Sequence, residues 1–336
     1  MTNTYPEPSV PARADAPTHD PNPTPAAASV RPPAVDQGRP FGAHVRMSWW
    51  KPLVIVPLLI ILMLVIQIVA SVGVVMFEWL VLGNEPDMAN LALSPLMMLA
   101  ANLSIAAMAP ISIALMRWIG KVPVREQFAL ARRASWGRLG VYTGMFLVLL
   151  LVVNAIFFVI DPSSLQAISL SGGVIALIVI TLFTTPLQAA AEEIMFRGAI
   201  MPSVASWIRP AKVALVVGLV VSSIIFGIMH GSVDPWLLSY YTIFGAAMAA
   251  MAVISRGLEA PIALHVVNNV VIMVIGALGS DDGAIVIDRS VGMGGPFILA
   301  FIAMDLVAVG LVWLYERRRR AQQKDNVRGG VAQPTA

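Results

Sequence analysis

Between Lys51 and Tyr315 this chain is a succession of long apolar runs, and that feature restricts it to few folds. A bilayer interior offers no water to free peptide groups, so only helices and closed barrels cross it. Runs of about 20 predominantly apolar residues select the helix. About eight such runs are read, at roughly 52–77, 91–116, 139–160, 173–196, 213–230, 236–254, 261–279 and 296–315. A hydrophobic share of 58%, a charged share of 12% and a mean hydropathy of +0.80 agree with a polytopic membrane protein. The expected fold is all-α: an integral membrane bundle of about eight transmembrane helices.

The charges between the runs alternate in kind. Arg13, Arg31, Arg39, Arg46 and Lys51 precede the first run, and Arg117, Lys121, Arg125, Arg132, Arg133 and Arg138 follow the second. Arg209 and Lys212 follow the fourth, Arg256 the sixth, and Arg317 to Arg320, Lys324 and Arg328 the eighth. The other loops carry Glu78, Glu85, Asp87, Asp161, Asp234, Asp281, Asp282 and Asp288, with Arg289 alone among them. Lys and Arg are retained on the cytoplasmic side, so both termini are expected there, in a prokaryotic plasma membrane. The net charge of +3 is thus topological, and no nucleic-acid partner is needed to explain it. The four-arginine run could touch anionic headgroups at about 1 kcal/mol per residue. A stop-transfer flank is the simpler account of it.

Residues 1–45 are rich in Pro, Ala, Thr and Asp and poor in large apolar side chains, the composition of a disordered cytoplasmic tail. They contain no basic segment followed by a short apolar core, as a cleaved signal peptide would. The membrane domain is placed at 46–316 and a basic disordered tail at 317–336. In the stretch 118–138, Trp118, Phe128, Leu130 and Trp136 interleave with basic residues, as in a short interfacial helix. No internal repeat is apparent, which weakens an inverted-repeat transporter reading. With no cysteine, disulfides, thiolate catalysis and Cys-based metal sites are excluded.

Three ionisable residues interrupt the fourth run: Glu192, Glu193 and Arg197. A charge at the bilayer centre costs about 2.5–3.5 kcal/mol on insertion scales and defaults to a functional reading with a named partner. On a helix Glu193 and Arg197 are i and i+4 and can pair. Glu192, rotated by about 100°, is left free. Two of the four histidines, His230 and His265, also fall in or at the ends of apolar runs. Phe226 shares a helix face with His230, and Asn269 with His265.

A carboxylate, an imidazole and a second His with an Asn suggest hydrolysis. Glu192, assisted by His230, is the expected general base toward a water. His265 and Asn269 are the expected donors to the oxyanion on the scissile carbonyl, worth about 3–4 kcal/mol each. No Ser or Cys stands where a nucleophile is expected, so water attacks directly. Each piece alone has a plainer reading: an ion pair at a helix end, a histidine bonding between helices, a chance His-x-x-x-Asn. Asp305, isolated in the last run, reads as an interhelical polar contact outside the site.

In this order, Glu192-Glu193-x-x-x-Arg197, Phe226-x-x-x-His230 and His265-x-x-x-Asn269 resemble the signature of the CPBP family, the type II CAAX prenyl endopeptidases and bacteriocin-processing enzymes. The resemblance covers about 135–280. It implies a glutamate-dependent intramembrane endopeptidase opening toward the cytosol, with Glu192 and His230 activating water and His265 and Asn269 forming the oxyanion site. It also implies a supporting Glu193–Arg197 pair, no metal, and a peptide or protein substrate that is membrane-associated or lipidated. Three rivals stand beside it. One is a zinc protease, since Glu plus two His is a zinc-competent set. The others are a proton-coupled transporter and a non-catalytic immunity protein. One tension is visible: if the fourth helix ends near Arg197, Glu192 and His230 are separated by some 25 Å in depth, unless that helix continues to Trp207, a span starts later, or Pro186 kinks it.

Overall fold

A computed structural model describes residues 1, 34–85, 92–160, 162, 168, 170–280 and 282–331, with side chains to 326. Residues 2–33 and 332–336 of the expected tails lie outside the described residues, whereas 317–331, expected to be disordered, continue the last helix.

Eight helices are long and apolar enough to cross a membrane: α1 (Trp50–Leu80), α2 (Pro95–Gly120), α3 (Trp136–Ile160), α4 (Gly172–Ala205), α5 (Ala211–Met229), α6 (Pro235–Ser255), α7 (Glu259–Leu278) and α8 (Ile298–Asn326). The protein is an integral membrane helical bundle. Among the described residues only three isolated β-bridges accompany the helices. The expected eight runs map onto these eight helices, with one large difference at α4. Its apolar run was bounded at 196, yet the helix continues to Ala205, through a π-helical stretch at Ile194–Ile200. Hydropathy stops at Arg197 because it cannot register that this arginine is paired internally.

Start signals are local. Ser94 accepts from the Met97 N–H ahead of Pro95, Ser171 from Val174, and Asp234 from Trp236 and Leu237 ahead of Pro235. These side chains satisfy peptide donors that have no partner inside the helix. α6 is capped by Arg256 in the left-handed conformation (φ 56°), and only three residues separate it from α7.

Lipid-facing side chains such as Phe183, Val148 and Val159 are exposed, while α4, α6 and α7 bury the largest share of their surface. α4 packs on α2 and α7, α5 on α6, α6 on α8, and α7 on α3 as well. Two of the three motif-bearing helices, α4 and α7, are therefore among the inner ones. Small residues allow close approach. A Cβ at Gly227 of α5 would collide with Thr242 of α6, and one at Gly218 would reach the backbone of α4 at Met201.

Two loop regions brace the basic side. Arg132 forms a two-pronged ion pair with Glu259 at the head of α7 (2.5 and 2.7 Å), and Ser135 N–H donates to the same carboxylate. Arg138 bridges to Glu316 (2.8 Å), which also accepts from the Tyr142 hydroxyl (2.6 Å). The stretch 118–138 does contain a short helix, Val124–Phe128, although Glu126, Gln127 and Leu130 are buried rather than spread on the interface.

The second brace lies inside the stretch expected to be disordered. Residues 34–46 form a hook closed by the Val35–Val45 bridge, with Phe41, Ala43, His44 and Val45 buried. Arg39 donates to the Ile208 carbonyl (3.0 Å), and His44 Nε2 donates to the Glu126 carbonyl (3.0 Å) while its Nδ1 accepts from the Gly42 N–H (3.1 Å). The boundary at 45 is thus displaced to the N-terminal side. Composition misses the hook because its few apolar residues fill a gap made by distant loops.

Candidate active site

The site is built on four successive helices, α4 to α7. Glu192, Glu193 and Arg197 of α4 are all buried. Arg197 Nη1 donates to Glu193 Oε1 (3.0 Å), the expected i, i+4 pair, and Nη2 donates to the Gly245 carbonyl on α6 (2.8 Å). Its guanidinium carbon lies 4.5 Å from the centre of the Phe226 ring. The arginine thus ties α4 to α5 and α6, while its Nε has no hydrogen-bond partner among the described residues. The pair sits at the start of the π-helical stretch, a distortion that in helices often marks a functional position.

Glu193 Oε1 has a second partner, His265 Nδ1 at 2.7 Å. A carboxylate can only accept, so in this contact Nδ1 carries the hydrogen. The opposite nitrogen, Nε2, then faces Glu192, whose Oε2 is 3.5 Å away. That separation is too long for a direct hydrogen bond. Phe226 and Phe244 present ring edges to His265 at 5.9 and 5.2 Å between centroids.

The other oxygen of Glu192 ends a chain of amides. Asn268 Nδ2 donates to Asn269 Oδ1 (3.2 Å), Asn269 Nδ2 to Gln188 Oε1 (3.3 Å), and Gln188 Nε2 to Glu192 Oε1 (2.7 Å). Every donor in the chain points toward the carboxylate. Asn269 keeps a second N–H beyond the one given to Gln188. Glu192 Oε2 is buried without a hydrogen-bond partner among the described residues.

His230 caps α5 and stands one ring away from this cluster. Its Nδ1 lies 2.8 Å from the Phe226 carbonyl, an acceptor, which leaves Nε2 with a free lone pair when the ring is neutral. The imidazole stacks on Tyr241 (4.1 Å, 19°) and tilts against Phe226 (4.6 Å). Arg289 reaches over from the loop before α8, donating to the His230 carbonyl (2.5 Å) and lying 5.9 Å from the centre of the Tyr241 ring. Among the described residues no hydrogen bond joins His230 to Glu192, His265 or Asn269.

The structure therefore gathers Glu192, Glu193, Arg197, His265 and Asn269 into one network and sets Phe226 between it and His230. The depth tension shrinks because α4 runs on to Ala205. Glu192 lies roughly 20 Å inside that end and His230 roughly 28 Å from the start of α5, a difference of under about 10 Å along the helices. Asp305 of α8 stays outside the network, buried, with both carboxylate oxygens unpartnered among the described residues. Sequence reasoning missed Gln188 and Asn268. Gln188 lies one helical turn before Glu192 in an apolar run, which was an available signal; Asn268 is adjacent to a residue already chosen.

Among the described residues no three His, Asp or Glu side chains are grouped to hold a metal ion. His265 Nδ1 is engaged by Glu193, and His230 stands apart behind Phe226.

Residues 172–271, which contain every motif residue, match the family "Rce1-like: Type II CAAX prenyl endopeptidase Rce1-like". This bears out the likeness read from the motifs, over the segment that carries them. The chain is also similar to "Uncharacterized protein YyaK" of Bacillus subtilis (strain 168), at 28% identity over 220 residues, covering 62% of this chain and 72% of that protein. No solved structure matches. The family match supports a membrane endopeptidase of the CAAX-protease kind, acting on a peptide or protein.

Proposed function

We propose that this integral membrane protein, similar over α4 to α7 to the type II CAAX prenyl endopeptidases, cuts a peptide bond with a water activated by Glu192 and His230. The observation that carries this reading is the asymmetry of Glu192. One oxygen is fixed by Gln188, while the other is buried, unpartnered and 3.5 Å from an imidazole nitrogen. Glu126 Oε2, Glu193 Oε2 and both Asp305 oxygens are also unpartnered, and Glu192 Oε2 is set apart from them by the imidazole nitrogen beside it.

In the proposed reaction a water between Glu192 Oε2 and His230 Nε2 gives up a proton as its oxygen bonds to the scissile carbonyl carbon. The carbonyl π electrons move to oxygen. That oxyanion accepts from the free N–H of Asn269 and from His265 Nε2–H. His265 can donate there only as an imidazolium, because its Nδ1 hydrogen is given to Glu193. Collapse breaks the C–N bond, and the proton taken from water passes to the leaving amine. The product carboxyl's remaining proton then leaves through the regenerated base.

The substrate proposed is a membrane-associated peptide segment. A prenylated C-a-a-X tail is the form the family description brings. Both termini, and hence the basic loops, are placed on the cytoplasmic side of a prokaryotic plasma membrane.

The test compares membrane-fraction peptides from cells carrying the wild-type protein and Glu192→Gln at matched expression. At least one uncut species should accumulate in the variant. Identical profiles would count heavily against a protease and in favour of an immunity or scaffold role. Activity on any identified peptide should survive chelators, since no step is routed through a metal.

A further inference from the structure

Past its apolar part, α8 carries a second arrangement that the hydrolytic reading does not use. Trp313, Arg317, Arg320 and Lys324 fall on one face of the helix. With Ile254 at the end of α6, Glu316 and Ala321, they line a cavity of about 360 Å³. The carboxylate in that lining, Glu316, is already engaged by Arg138 and the Tyr142 hydroxyl, so it does not neutralise the cations. Two of these cations are held in place. Arg320 Nη2 donates to the Ile254 carbonyl (2.7 Å), and the Arg317 guanidinium carbon lies 5.2 Å from the centre of the Trp313 ring. Trp313 stands where the apolar residues of α8 give way to arginine, the level at which interfacial tryptophans meet headgroups.

We propose that this cavity binds the phosphodiester headgroup of an anionic phospholipid. Arg317, Arg320 and Lys324 face the phosphate, and Trp313 and Ile254 form the apolar floor beneath it. The proposal requires position as well as charge. Arg318 and Arg319 carry the same charge on the same helix and do not line the cavity. A stop-transfer flank needs only the total, and a binding site needs the stripe. The same oxyanion chemistry exists in soluble phosphate esters, but the tryptophan at the edge of the apolar segment favours the lipid source.

The experiment counts lipids retained on the purified full-length protein by native mass spectrometry, with phosphatidylglycerol and phosphatidylcholine as probes. Wild-type protein should retain phosphatidylglycerol preferentially. Arg317→Gln/Lys324→Gln should lower that retention about 30-fold, from the loss of two near-surface cations, while Arg318→Gln/Arg319→Gln leaves it unchanged. Arg320 is kept in both because it joins α8 to α6. Equal losses in the two double variants would reduce the effect to general charge attraction and overturn the proposal. Displacement of the lipid by glycerol phosphate at matched concentration would overturn the lipid assignment. Should the first double variant fold poorly by thermal unfolding, Lys324→Gln alone serves, with about a fivefold loss expected and no loss sinking the idea. None of these outcomes depends on proteolysis, so the site stands or falls separately from the active site.

Discussion

One oxygen atom, Glu193 Oε1, receives both Arg197 and His265, so a single substitution there disturbs two helices at once. Glu193→Gln would leave the buried Arg197 charge without its partner, at about 3–5 kcal/mol. Thermal unfolding in detergent should show this as a marked loss of stability, relieved in part when Arg197→Met is added. Activity should not return in the double variant, because a neutral amide accepts from His265 more weakly than the carboxylate and can turn its own N–H toward the ring. Gln188→Leu acts differently, since it removes an amide that fixes Glu192 and Asn269 while preserving packing. A loss of about 2 kcal/mol, or roughly 30-fold in cleavage rate, is expected with little change in unfolding. Away from the bilayer, burial pushes His44 down to about 4 from its ordinary 6.5. Its native form is neutral, so the unfolded chain binds the extra proton as pH falls through 6.5 toward 4. Stability should be full above about pH 6.5 and drop by up to about 3 kcal/mol on approaching pH 4. His44→Gln should flatten that limb in pH-dependent unfolding curves.

At the scale of elements, the site depends on how closely α5 meets α6. Gly227 faces Thr242, and any Cβ there forces the helices apart. Gly227→Ala should cost about 1–3 kcal/mol by overpacking. It should also reduce cleavage, because Phe226 and His230 would shift away from His265. Thr242→Ala added to it should recover part of both. Much of this level was readable in advance. Glu192, Glu193, Arg197, Phe226, His230, His265 and Asn269 announced themselves as polar or aromatic residues at helical spacing in apolar runs. The end of α4 did not, because an arginine satisfied by Glu193 and a carbonyl of α6 has the same hydropathy as a solvated one. The hook at 34–46 was equally hidden: Phe41 and Val45 are two apolar side chains in a polar stretch, and their pocket is made by residues far along the chain. Gln188 was visible as a polar residue but had no partner until α7 was placed beside α4.

For the whole molecule, the alternation of basic and acidic loops was legible and implies an orientation that fusion reporters can check. A fluorescent protein joined after residue 336 should be bright, and alkaline phosphatase at the same place inactive; the reverse pattern would invert the bundle. The 34 residues of α4 set a further condition. At 1.5 Å per residue that helix is roughly 50 Å long, against about 30 Å of hydrocarbon. It must lean, protrude, or thin the lipid around it, and Glu192 travels with whichever compromise is reached. Membrane thickness therefore becomes a control variable for the chemistry, one that a choice of short or long acyl chains in a reconstituted vesicle would turn up or down without touching a single residue.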